Sequence, residues 1–230
     1  MALSCSSNKL IKINILQFHK VKNTLIFVWL IIFSSIHSQA QIPAGIKLKT
    51  GDFIFQDLDC GPLCDAIEQV TKSYGGKHFS HIGLVSVQND GVFIIEAIGT
   101  EVQLTPLKKF TDRTTNPMLV GRVKKQYAGV AARAVNYALA EKGVPYDDEF
   151  LYNNKKYYCS ELIYDAFKRA NGGNDFFVLE PMTFKQPGSN QFFPVWITYY
   201  EKLGIPIPEA EPGINPGGIS TSAKIDIVQP

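Results

Sequence analysis

A surplus of either charge is nearly missing from this chain. Lys and Arg number 23 against 21 Asp and Glu, a formal net charge of +2. A balance this close supplies no basic stripe for a phosphate backbone, which argues against nucleic acid as a partner. Charged residues are also sparse, at 19%, beside a hydrophobic share of 45%. That composition belongs to a chain that buries a core, not to a disordered one. No internal repeat is visible, so a solenoid is excluded. Long apolar runs are lacking as well. The run Leu25 to Phe33 (LIFVWLIIF) falls well short of the roughly 20 residues of a membrane-spanning helix. Histidine and cysteine are scarce, with four of each. No cluster of them has the standard spacing of a zinc site.

The short apolar run has a reading of its own. Lys9, Lys12, Lys20 and Lys22 precede it, and SSIHSQAQ follows, with small residues at Ser38 and Ala40. A basic stretch, a short apolar stretch and small residues make a secretory signal peptide. Residues 1–40 are therefore expected to be removed near Ala40, leaving an exported protein, periplasmic in a bacterium, with no stable membrane span. Removal takes Cys5 with it. Cys60, Cys64 and Cys159 remain, an odd number in an oxidising compartment, where a leftover thiol is worth attention. Cys60 and Cys64 lie in DCGPLCDAIEQV. They can form a local disulfide, a free pair or a metal-binding pair; if they pair with each other, Cys159 is left alone.

Along the rest of the chain, two periodicities alternate. KLKTGDFIFQDL reads as a turn followed by a short apolar strand, and CGPLCDAIEQVTKSYGG as a loop entering a helix that stops at Gly75-Gly76. HFSHIGLVSVQNDGVFIIEAIG carries the clearest β signal, two β-branched runs around Asn89-Asp90-Gly91, a hairpin turn. VQLTPLKKFTDR continues as strand and loop, and MLVGRVK is another strand. AGVAARAVNYALAEKG is Ala-rich and ends at a Gly, as a helix does. CSELIYDAFKRANGG places Leu162, Ile163, Ala166, Phe167 and Ala170 on one helical face before Gly172-Gly173. Hairpin strands with separate helices make the class α+β. The domain is expected over residues 41–205. Residues 206–230, rich in Pro and Gly, are expected to be a tail extended over the surface or partly disordered.

Cys159 begins the last of these helices. Unpaired N–H groups and the dipole of a helix start favour an anion there, so this placement turns a thiol into a thiolate nucleophile. The same N–H groups can hold an oxyanion during acyl transfer. A thiolate works best beside a histidine, and outside the presumed signal and its cleavage point only His78 and His81 are available. His81 opens the strand HIGLVSV. Glu96 lies on the next strand, in apolar FIIEAIG, where an unpaired carboxylate is costly. Across the hairpin, His81 and Glu96 come within reach if the register is uneven or bulged. Cys159 then reads as nucleophile, His81 as base and Glu96 as the group that orients the base. Taken singly, each has an ordinary structural reading; their combination in one exported chain carries the argument.

The order GDFIFQDL, FSHIGLV, FIIEAIG and PYDDEFLYNNKKYYCSELIYDAF resembles the circularly permuted papain-like hydrolases of the YiiX/YebB type, relatives of the NlpC-type cell-wall endopeptidases. In ordinary papain-like enzymes the cysteine helix precedes the histidine strand; here the histidine comes first. The resemblance runs from about Leu48 to Phe184 and rests mainly on SHIGLV and YYCSELIYDAF. It implies an antiparallel sheet packed against helices, a Cys159, His81, Glu96 triad, and hydrolysis of an amide or ester without a cofactor. Tyr146, Tyr158 and Ser160 flank the presumed site as candidates for lining the pocket or supporting the oxyanion. A cell-wall peptide or a lipid-derived amide would be a suitable substrate. Three rival readings remain: a thioester-forming acyltransferase, a non-catalytic binding module on the same fold, and a metal-dependent hydrolase built on His78, His81, Glu96 and a cysteine.

Overall fold

The computed structural model describes residues 42–230; the signal peptide expected over residues 1–40 lies outside the described residues. Gly51 turns the chain into the first strand with a φ of 91°, a left-handed conformation that favours glycine. Its bare Cα also admits a helix: a Cβ here would stand 2.9 Å from the Cβ of Ala131. Asp52, buried beside this turn, is held by Arg122 at 2.6 and 2.7 Å, which ties the start of β1 (Phe53–Gln56) to β5 (Leu119–Val123).

Between these two strands come β2 (His81–Gln88), β3 (Gly91–Ile98) and β4 (Glu101–Pro106). β8 (Ile225–Ile227) follows near the C-terminus. Among the described residues these six form one sheet in the order β4-β3-β2-β1-β5-β8, every neighbour antiparallel. A second, two-stranded sheet joins β6 (Glu180–Pro181) to β7 (Pro212–Gly213). The helices are α1 (Pro62–Val70), α2 (Leu107–Thr111), α3 (Ala128–Ala140), α4 (Cys159–Ala170), α5 (Pro194–Leu203) and α6 (Pro216–Ser220). The α+β class and the antiparallel sheet packed on helices are as expected. α2 is a departure, because the residues after Pro106 turn into a short helix where strand and loop were anticipated.

Strand alternation divides the core in two. Phe53, Phe55, Ile82, Leu84 and Ile95 pack against Leu162, Ile163 and Phe167 of α4 and Ala131, Ala134 and Ala138 of α3. The small side chains of α3 let it lie close against α4. On the opposite face, Ile54, Val85 and Ile94 pack against Phe110 of α2 and Met118. A third cluster, Ala66, Phe184, Trp196 and Tyr200, joins α1 to α5.

The Pro/Gly-rich segment does not behave as a surface tail. It supplies β7, α6 and the edge strand β8, and it buries Ile214, Ile219 and Ile225 in the main core. Proline and glycine lower local propensity, but here tertiary burial of isoleucines and pairing to β5 decide the outcome. The compact body accordingly continues beyond residue 205.

Candidate active site

Cys159 is the first residue of α4, after an N-cap at Tyr158. Helical bonding starts with the Leu162 N–H, donated to the Tyr158 carbonyl at 3.1 Å. The N–H groups of Cys159, Ser160 and Glu161 therefore precede the first helical bond and present the positive end of the helix dipole. Cys159 is a buried free thiol. Cys60 and Cys64 are joined in a disulfide at the start of α1.

The β2–β3 hairpin turns through Asn89 and Asp90, with Gln88 opposite Gly91 and Leu84 opposite Ile95. The register is regular, without the bulge the sequence reading allowed for. Extended by one position it sets Glu96 across from Gly83, two residues from His81 and on the same face of the sheet. From that diagonal the Glu96 carboxylate reaches His81, Oε2 to Nε2, at 2.6 Å. Gly83 is what the crowding between them permits. A Cβ there would stand 2.2 Å from Cγ2 of Ile94 and 3.0 Å from the Phe110 ring.

Glu96 is fully buried, and burial alone would raise its pKa. Hydrogen bonds from His81 and Arg113, with their charges, outweigh burial and hold it down to about 2. It is thus an ionised acceptor, so His81 donates Nε2–H to it. That leaves Nδ1 as the ring nitrogen free to act with Cys159, whose side chain is close enough to raise the His81 pKa. Burial lowers the His81 pKa, but the bonds with Cys159 and Glu96 and the charges behind them push it up to about 9. The arrangement favours an imidazolium held against the Glu96 carboxylate and facing Cys159. Such a set can attack a carbonyl carbon with the sulfur, deliver a proton through the ring and receive an oxyanion at the helix start.

Arg113 is the member of this group that sequence reading missed. Its two terminal nitrogens bond Glu96 Oε2 at 2.7 Å and Oε1 at 2.6 Å. The guanidinium lies 5.4 Å over the Phe110 ring, and that ring also packs against His81, 5.9 Å between centroids. Gln56, directly across from His81 on β1, donates to the Phe110 carbonyl at 2.9 Å. The one hint in the sequence was the buried position of Glu96, which called for a cation.

The flanking candidates separate. Tyr146 stands beside Cys159; burial and the cysteine's charge push its phenol well above the ordinary value, so it keeps its proton and can donate. Tyr158 and Ser160 are committed elsewhere. The Ile214 N–H donates to Tyr158 Oη at 3.2 Å, and Ser160 Oγ donates to the Ile214 carbonyl at 2.8 Å. These two side chains anchor the C-terminal segment across the start of α4. His78 is largely exposed and lies 3.8 Å from Glu68, so it pairs with a different acid from His81. The loop that leads to Cys159 is fastened by buried Asp147, which accepts from Glu149 N–H, Leu151 N–H and the Asn154 side chain. Aromatic rings line its outer side, where Phe150 contacts Tyr146, Tyr158, Trp196 and Tyr199.

Comparison with known proteins supplies the family. Residues 47–228 match the family described as "Permuted papain-like amidase enzyme, YaeF/YiiX, C92 family". That match takes in the C-terminal segment beyond Phe184, where the sequence resemblance stopped. The uncharacterised protein YiiX of Escherichia coli (strain K12) is 29% identical over 158 residues, 66% of this chain and 70% of the relative. The crystal structure of the metalloprotein YiiX from Escherichia coli O157:H7 superposes with a TM-score of 0.63 at 26% identity, covering 80% of this chain and 98% of that one. The histidine-before-cysteine order, the antiparallel sheet with its cysteine helix and the span of the match together place this chain in the permuted papain-like amidase family of the YaeF/YiiX type.

Proposed function

We propose that the protein is an exported cysteine hydrolase that cleaves an amide or ester through a Cys159 thioester. The observation that carries this reading is the meeting of a helix-start thiol with a His81 ring that is bonded at 2.6 Å to a buried, ionised Glu96 and raised in pKa by Cys159. The Cys159 thiolate attacks the carbonyl carbon, and the carbonyl π pair moves onto oxygen, which meets the N–H groups at the start of α4. Collapse of that intermediate expels the amine or alcohol, which takes its proton from His81, and leaves the acyl group on sulfur. Water then attacks the thioester while His81 accepts its proton. The acid departs and the thiolate returns beside the imidazolium. Glu96 holds the ring in one tautomer throughout. Tyr146 lines the acyl side of the site and can donate its hydroxyl to the substrate.

A disulfide beside a free cysteine supports an oxidising compartment, in line with the signal peptide read in residues 1–40. The solved relative is described as a metalloprotein. Among the described residues of this chain, no group of three or more His, Cys, Asp or Glu side chains is arranged to hold a metal ion, and every step above runs through Cys159, His81 and Glu96.

A substrate panel of cell-wall peptides, aminoacyl compounds and fatty-acyl amides tests the reading, with Cys159→Ala as the control. The variant should fold normally and lose about a thousandfold or more of the turnover; Glu96→Gln should lose less. Turnover by the alanine variant equal to wild type would remove Cys159 as nucleophile. An added amine or alcohol that appears in the product would convert the hydrolase into an acyltransferase.

A further inference from the structure

We propose that Arg113 is a positioning residue of this site: its guanidinium grips both oxygens of Glu96 and keeps that carboxylate ionised and aimed at His81. The inference rests on the cysteine-hydrolase reading above. Its basis is the two-pronged contact, at 2.6 and 2.7 Å, with a carboxylate that has no exposure to solvent. A forked guanidinium matches a carboxylate in a way that a point charge does not.

The charges along the site explain what the grip achieves. When Cys159 and His81 form their ion pair, thiolate, imidazolium, carboxylate and guanidinium alternate in sign, and the set is neutral. Without the guanidinium, two anions share one cation in a buried space, and the thiolate is the anion that can escape by taking a proton. The groups that act on the His81–Glu96 pair are Cys159, from α4, and Arg113, from the segment after α2. Nearby Asp112 is already engaged by Lys108 at 2.7 Å on the surface, so it does not compete for Arg113. Arg113 itself is about one-fifth exposed, so it brings its charge to the buried carboxylate without full loss of hydration. Its place over the Phe110 ring fixes the direction of the fork.

The test is the pH dependence of Cys159 alkylation by iodoacetamide, measured on the folded wild type, Arg113→Gln and Arg113→Lys, with folding checked by circular dichroism. The acid midpoint of the glutamine variant should lie about one pH unit above wild type, a roughly tenfold slower reaction on the acid limb. The lysine variant, which keeps the charge and loses the fork, should fall between the two. A folded glutamine variant with the wild-type midpoint overturns the proposal, because a purely structural residue would reduce the folded yield and leave the midpoint in place. A wild-type midpoint near about 8.5, that of an ordinary thiol, would instead defeat the nucleophile reading whatever the variants do. Should the glutamine variant not fold, carboxyl-carbon NMR of Glu96 in the wild type decides the matter. Glu96 ionised throughout the ordinary carboxylate range supports the grip, and titration at about 4 to 5 overturns it.

Discussion

Glu161 lies two residues after Cys159, and two effects compete for its charge. At the first turn of a helix a carboxylate gains about 0.3–1 kcal/mol from the dipole. Burial without a full set of partners costs more. Oε1 accepts the Asn153 N–H at 3.0 Å, while Oε2 is buried and has no partner. Burial wins, and the pKa is raised to about 8. At neutral pH a protonated Glu161 puts no competing negative charge at the helix start beside Cys159. The sign of the linkage follows. A pKa raised on folding contributes stability that is whole below the unfolded value of 4.5 and lost as pH rises through about 8. His81 acts in the same sense between 6.5 and about 9, and Glu96 in the opposite sense as pH falls from 4.5 toward about 2. Urea unfolding of the wild type should therefore show stability falling between about pH 5 and 8, by on the order of a few kcal/mol. Glu161→Gln should flatten most of that slope; an unchanged slope would contradict the assignment. At this scale Cys159, His81 and Glu96 were legible because each stands out within its own element: a thiol at a helix start, a ring at a strand start, an acid on an apolar strand. Arg113 was not, because its pairing is set by the way α2 folds back over the hairpin.

Elements supply the geometry that those side chains need. The β2–β3 hairpin was readable from its alternation and its Asn-Asp-Gly turn. The diagonal reach from Glu96 to His81 depends on the register, which the Asn-Asp-Gly sequence leaves open; in the fold Asn89 and Asp90 form a tight two-residue turn and the register is regular. Gly83 sits at the centre of this geometry. Gly83→Ala drives a methyl into Ile94 and the Phe110 ring, and overpacking of this kind costs about 1–3 kcal/mol. Because Phe110 also backs His81 and Arg113, the variant should lose Cys159 alkylation rate along with stability. Denaturant titration and iodoacetamide labelling check the two together, and a variant neutral in both would mean that this packing does not set the site. The loop before α4 was legible only as a loop. Its left-handed residues Phe150, Asn153 and Lys155 are not glycines, and the bonds that fasten the loop, from Glu149, Leu151 and Asn154 to Asp147 and from Asn153 to Glu161, join residues too irregularly spaced to show a period. α5, with its aromatic face, likewise carried no clear signal: beyond the contacts among its own rings it packs on Phe184, on the loop and on α1.

For the whole molecule, the C-terminal segment closes the structure. It adds β8 to the far edge of the sheet and lays Ile214 across the start of α4, where its backbone bonds both Tyr158 and Ser160. The residues on either side of Cys159 are thus tied to a stretch that composition alone reads as a tail. Local propensity could not reveal this, because the stabilising contacts lie more than 50 residues away in sequence. The class, the sheet and the permuted order were accessible from motifs; the closure was not. All of it serves the arrangement proposed for the site, Cys159 at the start of α4 acting with the His81 ring. NMR titration of the His81 ring, in the wild type and in Cys159→Ala, measures that arrangement directly. The account predicts a ring pKa of about 9 in the wild type and a clear fall once the sulfur is removed. A wild-type ring that titrates at or below the ordinary 6.5, or one indifferent to the loss of Cys159, would contradict it.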